Sequence, residues 1–276
     1  MIDVTTMLAP ERASLLELLR GMSAGDWDRP TECPAWSVKG IVLHILGDDL
    51  SLLSRQRDAA AQGLILFAED HPGLQFRELL DGFNEQWVHA AQFFGTPLTI
   101  ELIRLVGEWS DDFYRTIGLD TTAREPVGFF AQTEPSPYWQ LIAREYAERI
   151  IHQSQIRRAI AAPELEGELI TWMARVVVHS LAYWLRDYEA PTGATITIEW
   201  GGPGAFTWQR KQAGWSVHEG AVGAPTATVT VAPTRAVALL TRALSLSEAV
   251  ETISFDGDTQ LARGALERTT PLLASP

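Results

Sequence analysis

The sequence, 276 residues long, is short of several things, and each shortage removes a class of function. It has a single cysteine, Cys33, so no intramolecular disulfide can form, which fits a reducing compartment. Positive charge is scarce: 22 Lys and Arg stand against 35 Asp and Glu, for a net charge of −13. Nucleic acid and anionic lipid both require the opposite balance, so neither is expected as a partner. No apolar run approaches the roughly 20 residues needed to cross a bilayer. Met1 to Pro10 lacks the basic patch and apolar core of a signal peptide, so a cytoplasmic location is expected. No strand–turn–helix context for a G-x-S-x-G nucleophile elbow is found, which leaves Ser/His/Asp catalysis without support. The glycine cluster from Gly201 to Gly204 precedes a strand rather than a helix, and reads as a hairpin turn instead of a dinucleotide fingerprint.

What is present is ordinary globular composition, 46% hydrophobic and 21% charged. The first part of the chain has helical periodicity. A helix opens at Pro10 and Glu11 and runs through Leu15, Leu16 and Leu19. Ser37 is a candidate N-cap for a second helix with Val38, Ile41, Ile45 and Leu52 on its stripe. A third carries Phe76, Leu80, Phe83 and Trp87, and a fourth starts at Thr96 and Pro97. A long helix is expected from about Tyr138 to Ala161, and another from about Leu165 to Tyr188. Near residue 191 the period changes from helical to alternating. Strands are expected at Thr195–Trp200, Phe206–Arg210, Gly214–His218, Ala227–Val231 and Ile253–Phe255, with a short helix from Pro233 and a last one capped by Asp258. The fold class expected is a mix of α and α/β character, an N-terminal four-helix bundle followed by a small C-terminal α+β domain. The boundaries are a bundle over 1–163, a connecting helix over 164–190 and the α+β domain over 191–276.

The most informative chemistry lies on the long helix. Glu148 and His152 are four residues apart, so they share one face. A carboxylate and an imidazole so placed can address one metal, though the same pair also suits a solvated face. His44 lies at the edge of the second helix's apolar stripe, and Asp48, one turn on, could accept its second N–H. Without a metal, His44 and Asp48 would be an ordinary helical pair. Together His44, Glu148 and His152 form a two-His, one-carboxylate set that leaves a coordination position open. Zinc suits it, and nickel or iron would also be held. The remaining histidines are assigned elsewhere: His71 to a loop, His89 to solvent, His179 to packing and His218 to an exposed strand end. Cys33 is assigned to packing and the Arg55–Asp58 charges to a solvated face.

The stretch Asp26-Trp27-Asp28-Arg29-Pro30-Thr31, with Cys33-Pro34-Ala35-Trp36-Ser37-Val38 and His44-Ile45-Leu46-Gly47-Asp48, resembles the first signature of mycothiol-dependent maleylpyruvate isomerases, an actinobacterial family. Arg144-Glu145-Tyr146-Ala147-Glu148 through His152-Gln153 resembles their second, although Ala35 replaces a frequent glycine. The resemblance implies a DinB-like bundle, a divalent metal held at His44, Glu148 and His152, and a sterol-carrier-like C-terminal domain. It also implies a mycothiol-using isomerase or S-transferase acting on a small electrophile, and an arginine of the second domain on the substrate. Arg242 is the first choice for that arginine and Arg263 the second. A monomer or homodimer is compatible with the chain. The alternatives are a non-catalytic binding protein with a structural metal, and a thiol-independent metal hydrolase.

Overall fold

Four helices with apolar stripes close on one another because none can bury its stripe alone. In the computed structural model, which describes residues 1–124, 135–199, 204–232, 235, 238, 246–249 and 252–269, these are α1 (Thr5–Gly21), α2 (Val38–Leu52), α5 (Thr96–Thr116) and α6 (Tyr138–Ala159). Two further helices, α3 (Gly63–Asp70) and α4 (Phe76–Ala91), lie between α2 and α5 in the chain, and α4 packs on α2. Ser37 caps α2 as its sequence position predicts, its side chain accepting from the Gly40 N–H. α1 differs from expectation: it begins at Thr5, not Pro10. Asp3 Oδ1 accepts from both the Thr5 N–H, at 2.9 Å, and the Thr5 hydroxyl, at 2.6 Å, which secures the start. Pro10 then sits inside the helix, and the carbonyl it leaves without a donor belongs to exposed Thr6. The α3 helix carries no buried residue and was not expected from periodicity.

Gly47 matters because it lies between His44 and Asp48 and lets α4 approach α2. A Cβ there would stand 2.2 Å from Trp87 Nε1, which donates to the Leu43 carbonyl at 2.7 Å. Gly47→Ala is expected to push Trp87 off this carbonyl and to cost about 1–3 kcal/mol of stability. An unchanged urea midpoint would refute this.

After α7 (Glu168–Trp184) the chain forms a mixed five-stranded sheet from β1 (Thr195–Glu199), β2 (Ala205–Lys211), β3 (Gly214–Glu219), β4 (Ala227–Thr230) and β5 (Ser254–Gly257), in the order β3-β2-β1-β4-β5. The β1–β4 pair is parallel and the rest are antiparallel. Register sets Ile196 beside Trp208 and Ala227, and Ile198 beside Phe206 and Val229, so one apolar face results. α7 and the last helix, α9 (Thr259–Thr269), pack on this sheet. Asp258 Oδ1 accepts from the Leu261 N–H at 3.0 Å, the expected cap. The short helix α8 spans Leu246–Ala249. α7 joins the two halves: Tyr146 of α6 donates to the Leu169 carbonyl, and Trp208 of β2 donates to the Val178 carbonyl. One apolar core therefore runs from α6 through α7 into the sheet. Trp200, most of the helix expected from Pro233, and Arg242 lie outside the described residues. No helix among the described residues is long and apolar enough to cross a membrane.

Candidate metal centre

α2 and α6 pack side by side, and this contact brings His44 to His152 across 108 positions of sequence. Their ring centroids are 4.8 Å apart, edge to face. Glu148 lies one turn before His152, with Oε2 3.7 Å from His152 Nε2. His44, Asp48, Glu148 and His152, with Ile45, Asp49 and Arg149, line one cleft of about 220 Å³, solvent-side space included. The three expected ligand residues thus share a cleft, from two elements far apart in the chain.

Each imidazole is prepared differently. His44 is packed against the Trp36 indole, with ring centroids 4.7 Å apart. Burial, aided by neighbouring His152, lowers its pKa to about 3, so its ring is neutral at physiological pH. His152 faces Gln155 Oε1 through Nδ1 at 2.8 Å. That contact pairs Nδ1 with the amide oxygen and turns Nε2 toward Glu148 and the cleft. The orienting role that spacing assigned to Asp48 thus has a counterpart in Gln155. Asp48 sits among charges: burial raises its carboxyl, but Arg144 and a hydrogen bond with Glu145 hold it below the usual range. Glu145 moves the other way, its pKa raised well above the usual range by burial and by Asp48.

The ligand set is not closed as it stands. Among the described residues, no group of three His, Cys, Asp or Glu side chains is arranged to hold a metal ion. The other oxygen of Glu148 lies 3.7 Å from Arg144 Nη2, so the carboxylate stands between two neighbours.

Beneath the cleft lies an ion network that periodicity did not single out. Asp49 accepts from Arg12 Nη2 at 2.7 Å and from Arg149 Nη2 at 2.6 Å, and Arg149 Nη1 reaches Asp111 at 3.2 Å. All four side chains are buried. Glu11 is buried beside them, and both its oxygens are without a hydrogen-bond partner. Burial raises its pKa, and beside it the cations Arg12 and Arg149 stand against Asp49 and Asp111. Gly107 makes room for this arrangement, since a Cβ there would lie 2.3 Å from Arg12 Nε.

The other assignments fall as follows. His89 is exposed, and Cys33 is buried in the bundle core. His179 packs edge-on against Phe206 of the sheet. His71 caps the end of α3, stacked on Phe67. His218 is half-buried rather than exposed, 3.2 Å from the Ser216 hydroxyl. Of the two arginines considered for substrate, Arg263 stacks over the Phe255 ring at 4.7 Å, on the sheet. Arg57 pairs with Asp58 in solvent, but Gln56 between the charges is buried and accepts from the Tyr138 hydroxyl.

Residues 8–95 match the family described as Mycothiol maleylpyruvate isomerase N-terminal domain. The first part of the bundle is similar to that family. That span includes His44 but not Glu148 or His152. The whole chain is similar in fold to a crystal structure of a mycothiol-dependent maleylpyruvate isomerase point mutant, at 10% identity, a TM-score of 0.53 and 91% coverage of each chain. A second structure of mycothiol-dependent maleylpyruvate isomerase aligns at 10% identity and a TM-score of 0.52, over 85% of this chain and 86% of that one. A sterol carrier protein 2 like 2 from Aedes aegypti covers 34% of this chain and 97% of its own at 20% identity, with a TM-score of 0.26, too low to bear on the fold. No curated protein matches the sequence.

Proposed function

We propose that the chain is a metal-dependent, mycothiol-using isomerase or S-transferase acting on a small, carboxylate-bearing electrophile. The observation that supports this reading is the meeting of His44, Glu148 and His152 at one cleft from two separate helices. Two donors on one tetrahedral zinc stand about 3.4 Å apart, and Glu148 Oε2 and His152 Nε2 are separated by 3.7 Å. The donor chemistry fits as well: a neutral buried imidazole, a second imidazole with its Nε2 turned inward, and one carboxylate. His44, Glu148 and His152 would hold the ion, once Glu148 turns from Arg144. Zinc is the metal favoured, with nickel and iron as the other candidates.

When bound, the metal would supply a Lewis acid that brings a thiol, ordinarily near pKa 8.5, to its thiolate at neutral pH. The protein's own groups do the rest. Gln155 fixes the His152 ring, and Trp36 and Ile45 shield one wall of the cleft from water. Asp48 lines the cleft as an anion, held so by Arg144 and its hydrogen bond with Glu145, and the proton the thiol releases would pass to solvent. For an isomerase, thiolate addition to a conjugated double bond frees rotation before the thiol is expelled. For a transferase, the adduct departs. Arg242 or Arg263 would bring substrate contacts from the C-terminal half, which the resemblance reads as a sterol-carrier-like domain.

The test is turnover of maleylpyruvate and of generic electrophiles by purified protein, with and without mycothiol and with and without a chelator. Turnover requiring both thiol and metal is expected. Thiol-independent turnover would select a hydrolase, and no turnover combined with tight binding of an apolar ligand would select a binding protein.

A further inference from the structure

Arg144 binds no ligand in the chemistry above, although it stands on the same face of α6 as both ligand residues of that helix, four residues before Glu148 and eight before His152. Its guanidinium is held from inside: Nη1 donates to Glu145 Oε1 at 2.6 Å, and Glu145 is buried. On its other side, Nη2 lies 3.7 Å from Glu148 Oε1, longer than a hydrogen bond. Glu148 keeps the same 3.7 Å between its second oxygen and His152 Nε2. The carboxylate therefore stands midway between a cation and an imidazole, and closing on one side opens the other. Arg144 also differs from the buried arginines of the bundle. Its side chain is 29% exposed, whereas Arg12 and Arg149 are each 4% exposed.

We propose that Arg144, beside the cleft-lining Glu148, is an anion-binding residue released by Glu148 when the metal binds, so that a small carboxylate and the metal strengthen each other's binding. The inference rests on the metal reading above. A guanidinium anchored along one edge and reaching solvent along another is preorganised for a carboxylate, because its fork loses little freedom on binding. Without metal, Glu148 and Asp48 beside Arg144 repel an arriving anion. With a dication between the imidazoles, Glu148 is drawn toward it and the local charge turns positive. Linkage then requires that the carboxylate raise metal affinity by the factor by which the metal raises carboxylate affinity. The C-terminal arginines are not needed for this contact.

The experiment is zinc affinity by chelator competition, with and without succinate as a non-reactive carboxylate, in wild type, Arg144→Gln and Arg144→Lys. Wild type is expected to bind zinc several-fold more tightly when succinate is saturating. Arg144→Gln should bind zinc about fivefold more tightly than wild type without succinate, since a nearby positive charge is gone, and should not respond to succinate. Arg144→Lys keeps the charge but not the fork, and should lose about tenfold in succinate affinity with little change in zinc affinity. If Arg144→Gln fails to fold with Glu145 left unpaired, the lysine variant decides the matter through succinate affinity alone. A succinate response that survives in Arg144→Gln, or a succinate affinity undiminished in Arg144→Lys, overturns the proposal, as does unchanged or weaker zinc binding in a folded Arg144→Gln. A wild type that binds zinc but ignores succinate overturns this inference alone. A wild type that binds no zinc overturns the metal reading and this inference with it.

Discussion

Asp49→Ala is expected to lower the unfolding free energy by about 3–5 kcal/mol and the melting temperature by roughly 10 °C. Asp49 is the only carboxylate that reaches both arginines of the network, at 2.7 Å from Arg12 and 2.6 Å from Arg149, among the described residues. Removing it leaves two buried guanidinium groups, with Asp111 able to answer one of them. Glu11 is not a ready substitute, because burial raises its pKa and its ionisation there carries a desolvation cost. Arg149 itself is opposed by burial, yet Asp49 and Asp111 outweigh that and hold its pKa well above the usual arginine value. The damage therefore comes from stranded charge more than from the lost attraction. A second substitution checks this account. Asp49→Ala combined with Arg149→Met should be less destabilised than the sum of the two single changes, measured by urea unfolding. Strict additivity would show that the ion pairs are not coupled.

His152→Ala is expected to weaken metal binding by more than about 100-fold and to abolish thiol-dependent turnover with it. Gln155→Ala should produce a smaller loss, about 10–100-fold in affinity, because the imidazole remains but loses the partner of its Nδ1. The graded pair separates a ligand from a group that only lines the cleft. His152 is 12% exposed and makes no backbone-fixing bond, so its loss should leave the fold intact by circular dichroism. Metal content by elemental analysis and metal affinity by chelator competition are the measurements. Equal and full loading in His152→Ala would remove His152 from the ligand set.

Much of the architecture could be read from periodicity because most stripes are strict. The α2 stripe, its Ser37 cap, the change of period near residue 191 and the Asp258 cap are all local signals, and the structure places elements where they predict. Elements without a buried face escape such a reading. The α3 helix has no stripe to find, and the early start of α1 depends on Asp3, a side chain outside the apolar pattern. At the cleft, the i, i+4 pair of Glu148 and His152 was legible because helical geometry alone sets it. Its approach to His44 depends on how α2 packs against α6, and spacing along one helix carries no such information. The ion network shows the opposite case, a signal present but easily passed over. Asp49 stands four residues after Ile45 and three before Leu52, on the stripe itself, and Arg12 stands between Leu8 and Leu16 in the same way. Charged residues inside a stripe are buried with the stripe, so each of them needs a partner from another helix.

The bonds from α7 to both of its neighbours bear on how the molecule can move. Tyr146 to Leu169 fastens this helix to α6, and Trp208 to Val178 fastens it to the sheet. A part gripped on both sides is a rivet, not a hinge. The sheet and the helix that bears Glu148 and His152 are therefore expected to move as one body rather than to swing apart.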